Sequence, residues 1–242
     1  MITIVSGYWE LKNSKFNPET YGKWMENALK INAPYVFFTT KNMIPFVKKY
    51  RKHPTMFIEK TIDDFYFKRY NFDERYVHPL HVPSIELGLI WLEKISLVKE
   101  ASEKDPFGNE WYAWIDAAVC TYREKEPPTR QWPDKKKAEK LLKKECLNYT
   151  TSLGYLHLNL NDIKKGDYQH RVSGTWIIHK TFIPRFCDWF EVFMKKIILE
   201  FRKKNHYAVL SDQVIWTRMM MDKPKLFNCV GTGYGEILNI LY

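Results

Sequence analysis

The chain has 242 residues, 45% of them hydrophobic and 16% aromatic, and its 38 Lys and Arg against 28 Asp and Glu give a formal net charge of +10. That length is enough for one large core, and the composition excludes a disordered chain. The basic balance, with a sequence pI of about 9.2, admits anionic partners: nucleic acid, a membrane surface or phosphorylated small molecules.

The opening "MITIVSGYWEL" lacks a basic leader, and no apolar stretch reaches membrane-span length. A cytoplasmic protein is expected, with attachment at a membrane periphery as the alternative. The cysteines Cys120, Cys146, Cys187 and Cys229 are far apart and form no CxxC, so free thiols are expected. The glycosylation sequon at Asn148 is discounted for want of a secretory signal.

In chain order, "ITIVSG" reads as a buried strand opening into a loop. "NPETYGKWMENALKIN" follows as a helix, with Asn17 as cap and Pro18 at its first position. "PYVFFTT", "MIPFVKKYRK" and "TMFIEKT" continue as strand, helix and strand. This alternation predicts a parallel sheet with helices on its faces. After a Tyr- and His-rich segment, Ser84 caps a helix on which Ile85, Leu89 and Leu92 keep helical spacing. "WYAWIDAAV" reads as a central strand, and "REKEPPTRQWPDK" as a proline-broken surface loop. The basic block "DKKKAEKLLKKE" reads as a solvated helix face.

In the second half "SLGYLHLNL" alternates weakly and "GTWIIHK" reads as a strand. The segment from Ile183 to Asn205 carries one long apolar stripe, including Phe186, Phe190, Met194 and Ile197, which marks a core helix. "SDQVIWTRMMMDKP" is a shorter helix, "KLFNCV" a strand, and "GTGYGE" a glycine loop whose spacing matches neither a dinucleotide fingerprint nor a P-loop.

Asp116 interrupts an otherwise apolar run, and a buried carboxylate must be neutralised, solvated or used. In an open parallel sheet, ligands bind beyond the carboxyl ends of the strands, and Asp116 lies toward that end of its strand. A carboxylate there can reach a ribose hydroxyl or a divalent cation. Read alone, it is better taken as a carboxylate that caps or hydrogen-bonds a nearby turn.

The succession of strand, helix, strand, then "WIDA", "SGTWII", "SDQ" before a helix, and a glycine loop resembles nucleotide-sugar glycosyltransferases of the GT-A fold. Within them, "WLEKISLVKEA" followed by "WYAWIDAAV" is similar to the bacterial HtrL/YibB family of sugar transferases. The resemblance covers roughly the whole chain, though each motif is short. It implies a single α/β domain over 1–242, Rossmann-like, with a mostly parallel sheet and helices on both faces. Residues 1–120 would form the nucleotide-binding half and 121–242 the acceptor-binding half.

The activity implied is transfer of a sugar from a nucleotide-diphosphate donor to a glycan or lipid-linked acceptor. The resemblance places Ser6, Gly7 and Tyr8, after the first strand, at the donor nucleotide. It places Asp116 at the first acidic position of the D-x-D motif, which binds ribose and the Mn²⁺ or Mg²⁺ that bridges the diphosphate. The second acidic position is Ala118, so the usual metal ligand is missing. Asp116 would then hold a metal alone, or cationic side chains would neutralise the diphosphate. Lys94 is the candidate for that contact, against the bland reading of a solvated helix lysine. Gly174 and Thr175 would line the sugar sites, with Gln213 beside them. Asp212 is the carboxylate favoured as base toward the acceptor. His170 and His179 are the histidines that could reach a metal. Two other readings stand beside this one: a basic nucleic-acid-binding protein, disfavoured because the Lys and Arg are dispersed and no nucleic-acid motif is present, and a catalytically silent nucleotide-sugar-binding relative.

Overall fold

The structure, a computed structural model, describes residues 1–12, 16–77, 81–152, 170–204 and 210–242. The N-terminal alternation holds as expected: β1 (Ile2–Tyr8), α1 (Pro18–Ala28), β2 (Tyr35–Thr39), α2 (Ile44–Tyr50) and β3 (Thr55–Glu59). Asn17 caps α1, its side chain accepting from the Thr20 amide at 2.8 Å. Helix α3 (Ile85–Lys104) leads to β4 (Trp111–Trp114). Then come α4 (Lys135–Leu141), β5 (Leu147–Thr151), β6 (Val172–His179), α5 (Ile183–Lys204), α6 (Asp212–Asp222), β7 (Phe227–Thr232) and α7 (Ile237–Leu241). The weak alternation read in "SLGYLHLNL" lies outside the described residues.

The strands form one sheet in the order β3-β2-β1-β4-β6-β5-β7. Pairs β1–β2, β2–β3, β1–β4 and β5–β7 are parallel, while β6 runs antiparallel to both β4 and β5. The architecture is therefore α/β with a mostly parallel sheet. The β4–β6 ladder makes the two halves of the chain one continuous sheet.

Alternating side chains feed a core on each face. On one, Tyr35, Phe37 and Ala113 pack with Met25, Ala28 and Val47 from α1 and α2. On the other, Val36, Phe38 and Trp114 pack with Leu92 and Ile95 of α3, and the same core takes in Phe190 of α5. The predicted stripe on α5 is core: Phe186, Phe190, Phe193, Met194 and Ile197 are all buried. Each such side chain contributes about 1.5–3 kcal/mol of transfer free energy.

Three local readings need correction. The strand expected through Val119 stops at Trp114, and the next residues turn. Ser6, Gly7 and Tyr8 do not follow β1 but are its last three residues. Strand β5, "LNYTT", went unpredicted. It is wholly buried although polar, because Asn148 is satisfied: its Nδ2 donates to Lys143 O, Cys146 O and Ile177 O, and its Oδ1 accepts from Lys143 N at 2.8 Å. Among the described residues, no helix is long and apolar enough to cross a membrane.

Topology fixes where a ligand can sit. From β1 the chain steps outward to β2 and β3, then returns through α3 to β4 on the other side of β1. The sheet's switch point is therefore between β1 and β4, and a crevice opens beyond their carboxyl ends. Because β6 is reversed, its first residues reach the same end: Trp114 pairs with Trp176, which places Gly174 beside the residues that follow β4.

Candidate functional site

A cavity of about 420 Å³ occupies this crevice. Gly7 and Tyr8 end β1 at one wall, and Asp116 to Cys120 leave β4 at another. Gly174 and Thr175 of β6, Gln213 of α6 and Lys94 of α3 form its polar side, with Trp91 and Trp114 among its aromatic walls. Tyr234 and Gly235 of the glycine loop close it.

The polar side is built around Lys94. This residue is 3% exposed, so the reading of a solvated helix lysine is overturned. Helix α3 packs against the sheet and against α5 and α6, so its buried face is wide enough to include Leu92, Glu93, Lys94 and Ile95 in succession. The Lys94 ammonium lies 3.0 Å from Asp116 Oδ1 and 3.4 Å from Asp212 Oδ2. Burial works against its charge, but the two carboxylates outweigh it and hold the ammonium above the ordinary lysine range. Two carboxylates facing one ammonium leave the cluster at a net −1 when both are ionised.

The two aspartates differ. Asp116 follows β4 at the mouth, and its side chain is 46% exposed. Its Oδ1 also accepts from Nε1 of Trp114, the last residue of β4, at 2.8 Å. Asp212 is the first residue of α6, where the helix dipole favours an anion, and is 1% exposed. Burial pushes its carboxyl up to about 6, against the pull of Lys94 and with a push from Asp116. It stands behind Lys94 and does not line the cavity. A base must lie within hydrogen-bond reach of the proton it removes. Asp212 therefore lies as a counter-ion beside Lys94, and the expected acceptor base stands behind the cavity wall rather than on it.

Ser6 is also displaced from its expected role: it is 1% exposed, mid-ladder opposite Phe37, and does not reach the cavity, whereas Gly7 and Tyr8 do. Gly174, Thr175 and Gln213 line the cavity, and Gly174 lies close to Asp116, Lys94 and Gln213. His170 lines the cavity, with its Nε2 2.8 Å from Tyr234 Oη. His179 lies at the far end of β6, edge-on to Trp111, and takes no part. Arg123 is a participant the sequence did not single out. Its Nε donates to Ala118 O at 3.2 Å, and its guanidinium stacks 3.9 Å from the centroid of Trp24. It forms no ion pair among the described residues and faces the cavity. It was hidden in a segment that read as surface loop; only its position a few residues after Asp116 could have flagged it.

The residues do not fit a protein-held divalent cation. Ala118 offers no ligand, and the Asp116 oxygen nearest the cluster already faces an ammonium. Among the described residues no group of three or more His, Cys, Asp or Glu could hold a metal. A comparison with protein-family models gives no match, and neither does one with the curated proteins.

Proposed function

We propose that this chain is a glycosyltransferase of the GT-A type, akin to the HtrL/YibB sugar transferases, moving a sugar from a nucleotide-diphosphate donor to a glycan or lipid-linked acceptor. The observation that carries the reading is the Lys94–Asp116–Asp212 cluster at the switch point of the sheet, opening into an aromatic-walled cavity. Concave, largely apolar pockets with a few convergent polar groups are where small ligands bind, and the switch point is where an α/β sheet offers one. The volume of about 420 Å³ is of ligand size.

Within this reading, Gly7 and Tyr8 hold the nucleotide, while Gly174, Thr175 and Gln213 meet the sugar. Arg123 supplies a cation for the diphosphate leaving group, which must be stabilised as it departs. Asp212 keeps Lys94 charged and in place, and no step depends on a metal.

The test is a thermal-shift screen with nucleoside diphosphates and nucleotide sugars. A ligand at a hundred times its Kd stabilises the folded state by about 2.7 kcal/mol, so binding raises Tm measurably. At least one nucleotide sugar is expected to do so, and donor turnover on incubation then separates a transferase from a silent relative. No shift with any of them, together with salt-sensitive binding to DNA or RNA, would overturn the reading.

A further inference from the structure

The sheet divides the wall of the cavity between its two cores. On the side of α1, Ala117 and Val119 belong to the core that α1 and α2 cover, and Tyr8 packs against it. On the side of α3, Trp9 and Trp114 belong to the other core, and half-buried Ile90 and Trp91 pack against it. Leu87, Ile90, Trp91 and Lys94 all line the cavity, and their i, i+3, i+4, i+7 spacing puts them on one face of α3. Two turns of helix, about 10 Å, thus carry hydrocarbon up to the buried ammonium.

This lobe is built into the fold. A β-carbon at Gly7 would lie 2.6 Å from the Trp9 ring, so a glycine is what lets that indole lie against the end of β1. The ring is fixed edge-on to Phe65, with centroids 5.0 Å apart, and its Nε1 donates to Lys60 O at 2.8 Å. Trp114 directs its own Nε1 to Asp116 at 2.8 Å. Both indoles therefore offer a ligand ring carbon, their N–H groups being engaged within the protein. Leu87 and Ile90 give a sugar ring neither a hydrogen-bond partner nor a flat face. A hydroxyl buried without a partner loses about tenfold or more in affinity, whereas each buried methylene gains about fourfold.

We propose that the lobe along α3 binds the apolar aglycone of the acceptor, a hydrocarbon group joined to a sugar or alcohol. The hydrocarbon lies along Leu87, Ile90 and Trp91, and the polar end of the acceptor meets Lys94 and Asp116. A free glycan carries hydroxyls on every side and would strand several of them against this wall. This assignment rests on the transferase reading; of the acceptors that reading admits, it selects the one carrying hydrocarbon and supplies its subsite.

The experiment is a tryptophan-fluorescence titration of the wild-type chain, Ile90→Ala and Leu87→Ala. The probes are methyl, butyl, hexyl and octyl β-glucosides, each below its micelle-forming concentration, with phenyl β-glucoside and the nucleotide sugars of the thermal-shift screen beside them. For the wild type, affinity is expected to rise by about fourfold per methylene until the lobe is filled. Ile90→Ala is expected to weaken octyl glucoside by about tenfold and to leave nucleotide-sugar affinity within about twofold. Leu87→Ala is expected to do the same, and it decides the matter if Ile90→Ala fails to fold. Phenyl against hexyl glucoside, equal in carbon number, tells an aromatic aglycone from a lipid chain. Affinity independent of chain length, or a chain-length gain that both variants keep in full, would overturn the lobe while the transferase reading stands. A gain lost in the variants, with no nucleotide sugar bound by any form of the chain, would instead sink the transferase reading and the acceptor assignment with it.

Discussion

Two buried cations divide the molecule. Arg51 ends α2 and is 8% exposed. Its Nη1 donates to Leu29 O at 2.7 Å and Ile31 O at 2.8 Å, its Nη2 donates to Ala33 O, and its Nε donates to Thr55 Oγ1 at 2.9 Å. Its face lies 4.1 Å from the centroid of Tyr35. Four of the five guanidinium N–H donors go to neutral carbonyls and a hydroxyl, and its face lies against a ring. Lys94 is as deeply buried, yet carboxylates compensate it, and it fronts a cavity. A buried charge held mainly by backbone carbonyls, away from the cavity, is architecture. One held by other charges, with a proton to spare toward open space, is equipment for a ligand.

The sharpest test of this contrast removes each cation. Lys94→Met and Arg51→Met are both expected to cost about 3–5 kcal/mol in urea unfolding, the first by stranding buried Asp212 and the second by stranding three carbonyls. Only Lys94→Met should abolish nucleotide-sugar binding by the folded protein. Loss of affinity in folded Arg51→Met would break the comparison. Adding Asp212→Asn to Lys94→Met should recover about 2 kcal/mol without restoring binding.

Glu93 sharpens the same point from the neighbouring position. It is fully buried and accepts from the Tyr66 and Phe67 amides at 2.9 and 3.1 Å. Burial pushes its carboxyl up to about 7, against the pull of those amides. A raised carboxyl keeps its proton longer in the folded state, so its stabilisation is complete below the unfolded value, about 4.5, and is lost as pH rises through about 7. Glu93→Gln removes that titration, worth up to about 3 kcal/mol. Tm compared at about pH 5 and about pH 7.5 should fall less in the variant than in the wild type. An equal fall would remove Glu93 from the account.

Asp116→Asn should weaken nucleotide-sugar binding by about tenfold, because the amide cannot meet both Lys94 and a ligand hydroxyl as an acceptor. Its half-exposed position limits the stability change to under about 1 kcal/mol, and a larger loss in urea unfolding would mark Asp116 as structural. The smallest effect concerns metal. EDTA should leave donor affinity within about twofold of its value in Mn²⁺, as a site without a protein-held cation requires. A large drop would show that the ligand itself recruits one.

Much of the fold was legible because it rests on burial. The β1–α1–β2 alternation, the Asn17 and Ser84 caps and the stripe on α5 all declare themselves through periodicity. Strand β5 was not legible, since the signal for a strand is apolar alternation and Asn148 replaces it with hydrogen bonds to Ile177 O and from Asn228 Nδ2, both distant in sequence. Asp116 stood out as a charge in an apolar run. The burial of Lys94 was hidden because periodicity reports one packed face, and α3 is packed on more than one. The pairing of Lys94 with Asp212, residues far apart in sequence, exists only once α3 and α6 meet.

The wall of the cavity begins at Gly7 and closes at Gly235, so nearly the whole chain passes between its first contribution and its last. During synthesis the sheet can start from β1, β2 and β3, but the glycine loop that completes the pocket emerges only after β7. Gly235 seats that loop tightly: a β-carbon there would fall 2.6 Å from both Val119 and Thr121, beside the turn after β4. A nascent chain therefore has a framework long before it has a site, and competence to bind arrives in a single late step.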